Sequence, residues 1–183
     1  IMKYKEETLD LLEASKCHLL WLGAETGTKE MQERIKKHIG IENIPIAIGK
    51  LAKRNIVPGT FWIIGYPGES RESMLETLRQ ASMVKHAYPI AGSEVYPFRP
   101  LPGTEDFDAA LKLGYVPPKD FYEWGKCFEY KYNSHNTPLP EDVREMWRRY
   151  NNTAAIYDKH VTEGPRWMRD ALSRMAGWRL KRG

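Results

Sequence analysis

Cysteine is scarce in this chain: Cys17 and Cys127 are the only two in 183 residues, and neither belongs to a C-x-x-C pattern. That disfavours a disulfide framework and a local thiolate metal site, and it makes a reducing cytoplasmic compartment the expectation. No apolar run reaches the length of a membrane span, and Ile1-Met2-Lys3-Tyr4-Lys5 does not open a secretion signal. The five histidines show no H-x-x-x-H or H-x-x-E-H spacing, which disfavours metal hydrolase chemistry. There is no G-x-S-x-G elbow, no Gly-Lys-Ser/Thr phosphate loop and no dinucleotide fingerprint. A strong excess of one charge is also lacking, since the formal net charge is +4.

What is present is an ordinary globular composition, 42% apolar and 28% charged, in a length suited to one domain. A chain that opens on isoleucine is expected to be cut from a longer one. Basic residues gather only near the end, where Arg166, Arg169, Arg174, Arg179, Lys181 and Arg182 face a single acidic residue, Asp170. Such a tail either tracks phosphates or is a solvated helix end; without a clustered basic stripe, the second reading is preferred and nucleic acid is not an expected partner.

Hydrophobic spacing predicts a helix over Glu6–Ser15 and a buried strand over His18–Leu22, stopped at Gly23. Thr28 is placed to cap a helix over Lys29–Lys37, and a second helix is expected over Ile44–Arg54. Pro58-Gly59 reads as punctuation before a strand over Thr60–Ile64. Ser70 then caps a helix running to about His86, and a third strand is expected over Ile90–Tyr96. Strands alternating with helices make a parallel sheet with right-handed crossovers. After Gly114 the character changes: Phe121–Asn136 is aromatic and irregular, a strong helix begins at Pro138-Leu139-Pro140-Glu141, and a last one covers about Pro165–Leu180. Trp147, Tyr150, Tyr157, Trp167 and Trp178 lie at helical spacings and read as packing residues. The expected organisation is a β/α region over 1–114 and a mainly helical extension over 115–183.

Three loops sit where strands hand over to helices, the end of a parallel sheet at which ligands bind. In Gly23-Ala24-Glu25-Thr26-Gly27, the Glu25 carboxylate can accept from a ribose diol or an ammonium group, or it can serve the dipole of the following helix. Gly65-Tyr66-Pro67-Gly68-Glu69 is either a well-formed connector or a set of exposed amides for a polar ligand. The loop from Pro97 to Thr104 holds three prolines in six residues; it is either a rigid crossover or a fixed backbone offering carbonyls to an adenine amino group.

In order and spacing, Gly23-Ala24-Glu25-Thr26-Gly27, then Phe61 to Glu69, then Pro100-Leu101-Pro102-Gly103-Thr104 resemble the radical S-adenosylmethionine superfamily, most of all its members with a cobalamin-binding domain. Those include methyltransferases and cyclases acting on tetrapyrrole, lipid and antibiotic substrates. The resemblance covers about Leu9 to Gly114. It implies the C-terminal half of a partial (β/α)6 TIM-type barrel, three parallel strands with helices, followed by a helical extension. It also implies that Gly23, Glu25, Thr26 and Gly27 meet the S-adenosylmethionine, Gly65, Tyr66, Pro67 and Gly68 lie beside its adenine and ribose, and Tyr96, Pro97, Pro102 and Gly103 approach the adenine or the substrate.

The chain departs from that family in lacking the C-x-x-x-C-x-x-C loop of the 4Fe-4S cluster. The implied reading is therefore the C-terminal part of an iron-sulfur enzyme, inactive alone, with the cluster ligands and any cobalamin domain outside this chain. Its expected partners are a small-molecule substrate and either the N-terminal half of the same enzyme or a second chain, covering the edge of the first strand. Two further readings stay open: a non-catalytic ligand- or partner-binding half-barrel module, and an RNA-modifying relative using the basic tail.

Overall fold

The structure is a computed structural model that describes residues 5–126, 138–157 and 164–182. Its centre is a three-stranded parallel sheet in the order β1–β2–β3, formed by Leu19–Glu25, Val57–Ile64 and Gly92–Pro97. Eight helices lie among the described residues: α1 (Glu6–Ala14), α2 (Lys29–Arg34), α3 (Asn43–Ala52), α4 (Arg71–Ala87), α5 (Glu105–Lys112), α6 (Phe121–Lys126), α7 (Glu141–Tyr157) and α8 (Arg166–Arg182). The chain is thus α/β with a parallel sheet. None of the described helices is long and apolar enough to cross a membrane. Cys127 lies outside the described residues.

The alternation of strand side chains divides the sheet into two unlike faces. One face presents Ala24, Trp62, Ile64 and Val95, which share a single core cluster with Ile44 and Ile48 of α3, Met74, Leu78 and Ala81 of α4, and Val143, Trp147 and Tyr150 of α7. Trp62 is fully buried there, its indole N–H shared between Thr60 Oγ1 at 3.0 Å and Ser93 Oγ at 3.2 Å. The other face carries Trp21, Phe61, Glu94 and Tyr96, all at least partly exposed.

The two sheet edges differ as well. At β3 the carbonyls of Ser93 and Val95 accept from Tyr150 Oη at 2.6 Å and Trp147 Nε1 at 2.7 Å, so α7 satisfies the outer edge with side chains. At β1 no further strand pairs among the described residues. A groove of about 730 Å³ runs beside β1, lined by Leu20 to Ala24 and by the segment from Lys37 to Ala47.

Several expected boundaries move, each for a local reason. β1 continues through Gly23 to Glu25, with a bulge between Gly23 and Glu25 where the register against β2 slips. β2 begins at Val57 and takes Pro58-Gly59 into the strand. Pro58 is tolerated there because β3 pairs only from Gly59 onward, so the ladder bond that proline cannot donate is not required. β3 starts at Gly92, leaving Ile90 exposed in the preceding turn. The helix expected to reach Lys37 stops at Arg34. Lys36 takes a left-handed φ of 58°, and the amides of Lys36 and Lys37 return to the carbonyls of Glu33 (3.1 Å) and Gln32 (2.8 Å), which is a Schellman stop.

The tail brings one clear correction. Trp147 and Tyr150 pack in the core, whereas Trp167 is 71% exposed and Trp178 59% exposed. α8 packs through Ser173, Ala176, Gly177 and Leu180, and both tryptophans lie on its opposite side.

Candidate functional site

The three strand-end loops meet at the carboxyl end of the sheet and are physically joined. Thr26 is wholly buried, and its hydroxyl lies 3.4 Å from that of Thr77 in α4. The Gly27 amide donates to Thr77 Oγ1 at 2.9 Å. A Cβ at Gly27 would stand 2.6 Å from Thr77 Cα and 2.9 Å from the Glu76 carbonyl oxygen, so glycine is what permits this loop to touch α4. Thr28 caps α2, as the sequence predicts, by accepting from the Met31 amide at 3.4 Å; its hydroxyl also lies 3.1 Å from that of Ser73.

Ser73 passes the connection to the second loop by donating to Glu69 Oε1 at 2.8 Å. Glu69 Oε2 accepts from the amides of Gly65 at 2.7 Å and Tyr66 at 3.1 Å. These two amides are therefore not available to a ligand, which corrects the expectation that the turn offers exposed donors at those positions. Gly65, Tyr66 and Pro67 are buried and Gly68 is exposed. Burial raises the Glu69 carboxyl above the ordinary glutamate range against the hydrogen bonds that favour its charged form. The Tyr66 hydroxyl is also raised, by burial first and then by the charges of Glu25 and Glu69.

The third loop joins through Phe98, whose amide donates to the Ile64 carbonyl at 2.7 Å and whose ring lies 4.7 Å from that of Tyr66. Pro97 is buried, while Pro102 and Gly103 are exposed. One proline-loop carbonyl, that of Leu101, accepts from Thr104 Oγ1 at 2.8 Å, and Thr104 caps α5. An ion pair of 2.9 Å between Arg34 and Asp106 ties α2 to α5 above the loops.

Glu25 is the charged side chain at the mouth of this cluster. It sits at a left-handed φ of 65° just past the bulge, with its carboxylate over Gly23, and accepts from Lys37 Nζ at 2.8 Å. Lys37 reaches it because the Schellman stop folds the chain back toward β1. The carboxylate would collide with any Cβ at Gly23. Both partners keep some exposure, 35% for the Lys37 side chain and 21% for that of Glu25. Of the residues expected at the site, Gly23, Glu25, Gly68, Tyr96, Pro102 and Gly103 have accessible surface. Thr26, Gly27, Gly65, Tyr66, Pro67 and Pro97 shape the loops from beneath.

The sequence reading missed Lys37, and it missed the aromatic row on the open face. Trp21 stacks on Phe61 with ring centroids 4.3 Å apart, and Phe61 lies 6.0 Å from Tyr96, whose hydroxyl donates to Glu94. Trp21 reaches across the sheet because β2 and β3 present Gly59 and Gly92 beside it, where a Cβ would overlap the indole. The signal was readable in principle, as two glycines one βα unit apart, each inside a β-prone run.

The described residues hold no group of three His, Cys, Asp or Glu side chains placed as metal ligands. Cys17 precedes β1, at the end of the sheet away from the loops, and its thiol points to the Leu19 carbonyl at 3.5 Å. It cannot reach a cluster bound at the loops. Comparison with protein-family models and with curated proteins finds no match.

Proposed function

We propose that this chain is the C-terminal part of a radical S-adenosylmethionine enzyme of the cobalamin-dependent type. In this reading it supplies three strands of a partial (β/α)6 barrel and one wall of the cosubstrate site. The observation that carries the proposal is the Glu25–Lys37 pair at the mouth of three joined loops, beside an open sheet face. A carboxylate and an ammonium side by side complement, charge for charge, the ammonium and carboxylate of the methionine end of S-adenosylmethionine. Glu25 would accept from the ammonium and Lys37 would hold the carboxylate, each leaving its present partner. The exposed turn at Gly68 and the backbone at Pro102 and Gly103 leave room for the nucleoside.

The edge of β1, where no further strand pairs among the described residues, supports a further segment, from the same enzyme or a second chain, pairing there. The thiolates of a 4Fe-4S cluster do not fit the residues described, so no reaction step is assigned to this chain. Its part is to bind, orient and shield. Cobalamin and a small-molecule substrate, taken for methyl transfer or cyclisation at an unactivated carbon, belong to the same proposal.

Anaerobic reconstitution of the whole enzyme with iron and sulfide tests it. An iron–sulfur absorbance and reductant-dependent release of 5′-deoxyadenosine are expected. A folded, iron-loaded protein that leaves S-adenosylmethionine intact refutes the proposal.

A non-catalytic ligand- or partner-binding half-barrel is the second reading, favoured by one observation: β1 stands at an edge of the sheet where no further strand pairs among the described residues, a place for a partner chain. Tight calorimetric binding of S-adenosylmethionine by this chain alone, without any cluster, would support it over the first.

A further inference from the structure

Among the described residues, the outer face of α8 carries three large apolar side chains that are more than half exposed, and it is built in a regular line. Trp167, Arg174 and Trp178 follow one another at seven and four residues, with Met175, Lys181 and Arg182 beside them. Trp167, Met175 and Trp178 are 71%, 67% and 59% exposed. At the rise of an α-helix, the two indoles stand about 16 Å apart along one side. The helix carries six basic residues against Asp170 alone. Its opposite side packs on the rest of the chain: Ser82 Oγ donates to the Leu180 carbonyl at 2.7 Å, and Gly177 lies against the Tyr157 ring. The tryptophans are therefore not waiting for a place in this core.

We propose that α8 is a docking face for an anionic lipid bilayer surface, on which the two indoles and Met175 enter the headgroup boundary while Arg174, Lys181 and Arg182 meet lipid phosphates. Tryptophan prefers that boundary because its ring is apolar and its N–H is polar. Basic residues around an apolar line give the attraction to negative headgroups that a neutral surface lacks. Charge and side-chain chemistry together select this occupant over a nucleic acid. A single-stranded nucleic acid needs open ring faces along a basic groove. Here the face is a convex helix, and the Arg182 guanidinium lies 3.9 Å over the Trp178 ring, taking one face on which a base would stack. Aliphatic Met175 in the same line has no role in base recognition. The inference does not depend on the cosubstrate reading.

Sedimentation of the full chain with vesicles of equal parts phosphatidylglycerol and phosphatidylcholine is the test. The chain is expected to pellet with these vesicles at low salt, to be released by high salt, and to stay in solution with phosphatidylcholine alone. Brominated phosphatidylglycerol should quench indole emission in the native chain and not in the double variant Trp167→Ala/Trp178→Ala. That variant should partition at least about tenfold more weakly. Arg174→Gln and Lys181→Gln should each weaken binding about fivefold. All four positions are exposed, and unchanged urea denaturation separates lost docking from lost fold. Equal binding to neutral vesicles, no binding to either, or anionic binding unchanged in the double variant overturns the proposal. So does retention of single-stranded RNA, lost in the same variants, by a chain that leaves the vesicles in solution.

Discussion

Replacing Glu69 by alanine removes the acceptor that ties the second loop to α4. Three donors lose their partner: the Gly65 amide at 2.7 Å, the Tyr66 amide at 3.1 Å and the Ser73 hydroxyl at 2.8 Å. Hydrogen bonds to a charged group contribute about 1.5–3 kcal/mol each when their partners have no substitute. Two terms reduce the total here. Water can enter the partly open space left by the side chain, and removing the carboxylate also removes the burial cost that raises its pKa. The expected net loss is about 2–3 kcal/mol, or roughly 5–10 °C in Tm for a chain of this size. Glu69→Gln keeps one oxygen for the two amides and an amide group for Ser73, and should stay within about 1 kcal/mol of the native chain.

The two variants also separate by pH. The folded-state pKa of Glu69 lies above its unfolded value, so the native state binds this proton more tightly. The stabilisation that follows is complete below the ordinary glutamate value and is lost as pH rises through the raised native one. Urea denaturation across that window should show native stability declining relative to Glu69→Gln as pH increases. Glu69→Ala within about 0.5 kcal/mol of the native chain, with a native-to-glutamine difference that does not change with pH, would refute this account of the loop.

Gly27→Ala should cost about 1–3 kcal/mol, because its Cβ meets α4 backbone rather than a side chain able to turn away; chemical denaturation measures it. Gly59→Ala should displace the Trp21 indole, changing its fluorescence. Adding Trp21→Ala should recover part of the lost stability, giving a coupling of about 1 kcal/mol or more in a double-mutant cycle. Tyr150→Phe removes the 2.6 Å bond to the Ser93 carbonyl at the β3 edge and should lower stability by about 1 kcal/mol, with faster amide exchange in β3. Lys37→Met should leave stability within about 1 kcal/mol, since the ion pair is partly exposed.

The elements with strong local signals were legible in the sequence. Thr28 and Ser70 cap helices as expected, because a hydroxyl three residues before an amide is a local device that needs no tertiary partner; Thr104 caps α5 in the same way, although no helix was expected there. The parallel order followed from alternating strands and helices. What was not legible depends on contacts between distant residues. Pro58-Gly59 has the chemistry of a turn, yet it stands in β2 because Trp21 of the neighbouring strand lies against the glycine. Trp167 and Trp178 have the spacing of packing residues, but which side of α8 is buried is decided by α7 and α4. At the site, the position of Glu25 could be read, whereas its partner Lys37 depends on a left-handed turn at Lys36 that no glycine announces. The capture of two amides by Glu69 was hidden as well, since a glutamate just before a helix also reads as a simple dipole residue.

The most direct test of the central claim is anaerobic titration of S-adenosylmethionine into the reconstituted whole enzyme, native against Glu25→Gln. Binding weaker by about tenfold or more in the variant, with thermal stability unchanged, is the predicted result. Equal affinity in both proteins, or a native enzyme that does not bind S-adenosylmethionine, would contradict the assignment of this loop cluster to the cosubstrate.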